Sequence, residues 1–111
     1  MLKELLASNI DLYVDQGDTY YKKFIIKDNS GVALNLAGLD FSAIVKRYYN
    51  TDTTYSMSVT VIDSATGQIA LEMSSTESSD LVHDRYVYSV LATDGNDTSK
   101  ILYGQILVQH L

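Results

Sequence analysis

Apolar side chains recur at every second position along most of this chain, and clusters of Asn, Asp, Ser, Thr and Gly separate the runs. Period-two alternation puts apolar groups on one face of an extended backbone, so it predicts half-buried strands and not amphipathic helices. Ser8 to Val14 sets Ile10, Leu12 and Val14 against Asn9, Asp11 and Tyr13. Thr19 to Lys27 gathers Tyr20, Phe24 and Ile26 on one face, with Lys22 on the same side. Asp40 to Tyr49 turns Phe41, Ala43 and Val45 inward and Ser42, Lys46 and Tyr48 outward. Tyr55 to Ile62 opposes Met57, Val59 and Val61 to Ser56, Ser58 and Thr60.

The corners follow from backbone chemistry, because Asn and Asp tolerate left-handed backbone and Gly adopts it without a steric penalty. Gln16-Gly17-Asp18 and Asp28-Asn29-Ser30-Gly31 are tight turns, and Val32 to Ala37 is a short extended link ending at Gly38. Asp63-Ser64-Ala65-Thr66-Gly67 leads into Ile69, Leu71 and Met73, which is a hairpin signal. Ser74 to Asp80 is Ser/Thr/Glu-rich and reads as a loop with room for one helical turn. Arg85 to Thr93 and Lys100 to Leu111 form the last pair, joined through Asp94-Gly95-Asn96-Asp97-Thr98. About seven short strands with closely spaced turns point to an all-β Greek-key sandwich and not a βαβ fold. At 111 residues the chain supports one core. The expected organisation is a tail over 1–7, followed by a sandwich domain over 8–111; Leu2, Leu5 and Leu6 with Lys3 and Glu4 give the tail room for about one and a half helical turns that would not stay folded alone, so it is either frayed or docked on a neighbouring subunit.

Composition removes several function classes. Cysteine is absent, which excludes disulfides and thiolate metal sites. Eight basic against fourteen acidic side chains give a net charge of −6, which repels phosphate backbones and argues against nucleic acid as a partner. The longest apolar runs are far below the ~20 residues that span a bilayer, and Met1 to Ile10 lacks the pattern of a signal peptide, so no membrane partner is expected. His83 and His110 have no spaced partner for zinc or for activating a nucleophile, serine lacks a nucleophile-elbow context, and no phosphate-binding glycine loop occurs. Asp94-Gly95-Asn96-Asp97 groups oxygen ligands but lacks the loop length and closing glutamate of a calcium site, and Asp-Gly is an ordinary hairpin turn. No cofactor and no catalytic residue is therefore expected.

Two constellations remain. Tyr86 and Tyr88, after Leu81-Val82-His83-Asp84, are placed as a tyrosine corner, in which a buried ring donates its hydroxyl to nearby backbone; strand register decides which of the two turns inward. Nine tyrosines and no tryptophan, with Tyr13, Tyr21, Tyr48 and Tyr49 outward or at strand ends, suit an interface, since Tyr buries a large area with few rotatable bonds. Tyr suits strands in any case. The interface reading centres on Tyr48 and Tyr49 beside Lys46 and Arg47, with Tyr21 as a further contact. A flat aromatic strip of this kind also stacks on sugar rings, which makes a carbohydrate- or cell-surface-binding module the alternative.

Laid end to end, Gly17-Asp18-Thr19, Asp28-x-x-Gly31, Leu36-x-Gly38, Val45-Lys46-Arg47, Gly67-x-Ile69-x-Leu71, Leu81-x-x-x-x-Tyr86-x-Tyr88 and Gly104-x-Ile106-x-Val108 make the chain similar to a known family. It resembles the N-terminal immunoglobulin-like β-sandwich domain of phage baseplate upper proteins, from about Asn9 to Val108. The resemblance implies a virion structural protein, a tail or baseplate adaptor assembled in the host cytoplasm. It also implies that the partners are other virion proteins or further copies of the chain.

Overall fold

A computed structural model describes residues 8–28, 30–47 and 53–110. Among them lie nine strands and one short helix: β1 (Ser8–Asn9), β2 (Leu12–Asp15), β3 (Tyr20–Ile25), β4 (Asp40–Lys46), β5 (Thr54–Tyr55), β6 (Ser58–Asp63), β7 (Gln68–Met73), α1 (Ser75–Ser79), β8 (Arg85–Thr93) and β9 (Thr98–Gln109). They form two sheets. The larger runs β1-β9-β8-β4-β5, with β2 also on β9, and the smaller runs β3-β7-β6. Alternate residues of both sheets meet in one core that includes Leu12, Phe24, Val45, Leu71, Tyr86 and Ile106. The fold is thus an all-β sandwich, as the alternation predicts.

The strand count exceeds the expected seven for two physical reasons. The stretch Tyr55 to Ile62 is not one strand: Tyr55 pairs with Val45 in the larger sheet, whereas Val59 pairs with Leu71 in the smaller. The chain changes sheets at Ser56–Met57, and buried Met57 fills the crossing. The stretch Ser8 to Val14 is also interrupted, although its two pieces run parallel to β9 in one register, Asn9 opposite Tyr103 and Leu12 opposite Ile106. At the break the Ile10 carbonyl accepts the Tyr88 hydroxyl at 2.5 Å, and the Gln105 amide donates to the Asp11 carboxylate at 3.2 Å. Side chains there occupy groups that a continuous ladder would pair.

Gly104 makes the diversion possible. It faces Tyr88 across the β8–β9 pair, and a Cβ on it would lie 2.9 Å from the Ile10 carbonyl carbon and closer still to its oxygen. Glycine there lets the first strand press against the last closely enough for Tyr88 to reach it. Gly67 plays a comparable part at φ +71°, where a Cβ would stand 2.6 Å from the Ile26 carbonyl and 2.9 Å from that of Leu34. This close approach lets the Val32 to Ala37 link tie to the end of β3 through the Leu34 amide on Ile26 at 2.9 Å and the Lys27–Ala33 bridge.

Tyr86 and Tyr88 both turn inward, because residues two apart share a face of a strand, so register does not choose between them. The Tyr86 hydroxyl accepts the His83 amide at 3.1 Å, the reverse of the expected donation, and its ring meets Tyr55 edge to face at 5.0 Å between centroids.

Within Ser74 to Asp80 the expected helical turn forms as α1, with Ser74 and Asp80 as its caps. Ser74 accepts the Glu77 amide while the Glu77 carboxylate accepts the Ser74 amide, a reciprocal capping box that satisfies two otherwise free donors and offsets the cost of nucleating so short a helix. Buried Ser78 then accepts the Gly17 amide and donates to the Asp18 carbonyl, which pins the β2–β3 turn to the helix.

Two outcomes follow for stability. Tyr88→Phe removes a hydroxyl from a buried carbonyl and is expected to cost about 1–3 kcal/mol, and Gly104→Ala about the same through backbone displacement, both measurable by urea denaturation. Burial, reinforced by nearby Tyr20 and Asp11, pushes the Tyr88 hydroxyl well above the ordinary tyrosine range, and burial also raises Tyr86 and Tyr20. Above pH ~10 the unfolded chain releases tyrosine protons that the folded chain retains. Stability is therefore complete below that pH and falls as pH rises, and the thermal midpoint of Tyr88→Phe should fall less steeply than that of the natural sequence.

Candidate docking face

The two central strands of the larger sheet carry half-buried apolar residues, interleaved with polar ones, on the face away from the core. In β8, Tyr86, Tyr88, Val90 and Ala92 enter the core, while the alternate positions carry Val87 and Leu91 outward. In β9, Tyr103 and Leu107 point away from the core. The irregular register between Val90 and Leu91 absorbs Ile101 as an extra residue, so that Ile101 and Leu102 are both buried and Lys100 faces out beside Leu91. A strand whose outer face meets only water has no need of apolar residues there, whereas one covered on both sides is apolar throughout.

Register fixes the neighbours on this outer face. Lys46 lies beside Val87, Ile44 beside Ser89, and Ser89 beside Tyr103. Tyr13 of β2 continues the row from Leu107 and is 71% exposed. Ile44, Lys46, Val87, Ser89, Leu91 and Lys100 line a shallow depression in the middle. The charges are of both signs. Arg85 and Lys100 are exposed, Lys46 is half-buried, and the Lys100 ammonium stands 5.5 Å from the centre of the Tyr103 ring. Asp11, whose carboxylate accepts the Gln105 amide, and Asp15 and Asp40 at strand ends share the face, so three carboxylates stand with three cations around the apolar residues.

The structure separates the residues expected to form one interface. Lys46 lies on this face, and Arg47 follows β4, exposed. Tyr21 is exposed but sits on β3 in the other sheet, opposite Glu72. Tyr48 and Tyr49 lie outside the described residues, as does the tail over 1–7. Sequence reasoning passed over Val87, Leu91, Tyr103 and Leu107. The signal was there, since both phases of Arg85 to Thr93 and of Lys100 to Val108 hold large apolar residues.

The other candidate groups are occupied in holding turns. Asp94 accepts the amides of Asn96 and Asp97 at 2.9 and 2.8 Å, which holds its carboxyl below the usual range, and this is the geometry of a closed turn. Among the described residues no three His, Cys, Asp or Glu side chains converge as metal ligands. His110 bridges Gln16 at 2.6 Å and Asp84 at 3.2 Å, while the Gln16 amide donates to the Ser79 carbonyl, so the cluster ties the end of β9 to the β2–β3 turn, α1 and the loop before β8. His83 packs its ring 6.1 Å from that of Tyr86. No described helix is long and apolar enough to cross a membrane. No protein-family model matches this chain, and no curated protein matches it.

Proposed function

We propose that the protein is a structural assembly module that docks through the outer face of its larger sheet and performs no catalysis. One observation carries the reading: β8 and β9 present Val87, Leu91, Tyr103 and Leu107 on the side away from the core. A partner covering this strip removes apolar area from water at roughly 25 cal/mol per Å². Lys46, Arg85 and Lys100, with Asp11, Asp15 and Asp40 on the same face, favour a partner surface that bears both signs. The same face of a second copy offers such a surface, since its cations and carboxylates are present in equal number. Closed symmetric assembly is the default where copies pair.

The order β2-β9-β8-β4-β5 facing β3-β7-β6 supports reading the sandwich as an immunoglobulin-like Greek key. Together with the motifs from Gly17 to Val108, it supports placing the protein in the tail or baseplate of a phage virion, among other virion proteins and copies of itself. In solution the natural sequence is expected to sediment above monomer mass, alone or with a tail protein. The double variant Val87→Glu/Leu107→Glu should keep its β circular dichroism and sediment as a monomer. Peptides of the chain should also appear in mass spectra of purified tailed-phage particles. A protein that stays monomeric at every concentration and is absent from such particles overturns the reading.

A further inference from the structure

The smaller sheet has an open margin at β3, which pairs with β7 on one side and with no other described strand along Tyr20–Ile25. On that side a groove of about 340 Å³ runs between β3 and the margin of the larger sheet, and Ile10, Phe24, Ile26, Ile101 and Leu102 give it apolar walls. The margin is basic. Lys22, Lys23 and Lys27 are exposed and make no ion pair among the described residues, while Lys22 rests its ammonium 5.6 Å from the centre of the Phe24 ring. The neighbouring carboxylates already have partners: Asp28 accepts the amides of Ser30 and Val32, and Glu72 accepts the Thr60 hydroxyl.

We propose that the β3 margin accepts an extended acidic segment of a partner protein as an added strand. Free main-chain groups of β3 supply the hydrogen bonds, the groove takes apolar side chains from alternate positions, and the three lysines take the carboxylates. A second copy pairing β3 to β3 is the wrong occupant, because Lys22 and Lys23 would lie near their own duplicates, and like charges across a pair are destabilising. The lysines therefore refuse an identical edge and select an acidic one.

The test is an amide NMR titration of the full chain with a blocked peptide alternating Glu and Val, and with its Lys-and-Val counterpart as the second probe. The Glu peptide should shift and protect amides of Tyr20 to Ile25 and shift Ile10, Ile101 and Leu102. Lys22→Glu/Lys23→Glu should weaken binding by about tenfold or more and reverse the preference between the two peptides. The outer face of the larger sheet should not respond, so failure here leaves the proposed docking face standing. Three results overturn the inference: no binding of the Glu peptide, shifts centred on Val87 and Leu107, or equal binding to the charge-reversed variant. A fourth is Lys22→Gln/Lys23→Gln self-associating while the natural sequence ignores the Glu peptide, which makes the lysines a guard against self-pairing and nothing more.

Discussion

The contact of the Ile10 carbonyl with Tyr88 over Gly104 is the constraint on which the sandwich depends. It joins the first strand, the central strand and the last strand at one point, and each participant is there for a separate reason. Tyr88 brings a hydroxyl on a ring long enough to cross the sheet, Gly104 leaves out the Cβ that would block the approach, and Ile10 yields a carbonyl that the ladder gives up. Replacing the ladder bond by a buried hydroxyl costs little as long as the carbonyl stays satisfied. In return, β1 and β2 are held on the margin of β9, and the β3 margin is left without a strand beside it.

That division of the margins sets the surface chemistry. With the N-terminal strands on the margin of β9, Val87, Leu91, Tyr103 and Leu107 stand among polar neighbours in the middle of the larger sheet and not at its edge. The smaller sheet keeps the lysines on its open margin, where main-chain groups would otherwise pair indiscriminately. In a chain of net charge −6, the lysines of the β3 margin stand apart from the general charge and, on the proposed reading, favour partners whose carboxylates are in the right place.

The strands were legible because alternation is local. Leu12 and Val14, Phe41 and Val45, and Ile69 and Leu71 point as their spacing requires, with Phe41 only partly covered. The partner of β1 and β2 was not legible, because parallel pairing with β9 joins residues 94 positions apart and leaves no mark in either stretch alone. The change of sheet at Met57 was hidden as well, since Tyr55 to Ile62 keeps its alternation through the crossing. Other features were present in the sequence and passed over. Ser74-x-x-Glu77 is a capping box, the spacing of Tyr86 and Tyr88 requires a shared face, and the second phase of β8 sets Val87 and Leu91 on the side away from the core. Tyr48 and Tyr49, where the interface reading began, fall outside the described residues.

The parallel seam of β1 and β2 with β9 has a consequence for how the protein is made. A ribosome delivers β9 some 94 residues after β2, so the seam, and with it the seat for the Tyr88 hydroxyl, waits for all the chain between them to emerge. Contacts this distant in sequence slow closure, because the ends must be brought together before the pairing repays the lost freedom. During that interval Leu12 and Val14 have no sheet to enter, and their flanking Asp11 and Asp15 keep the waiting segment charged and apart from its neighbours.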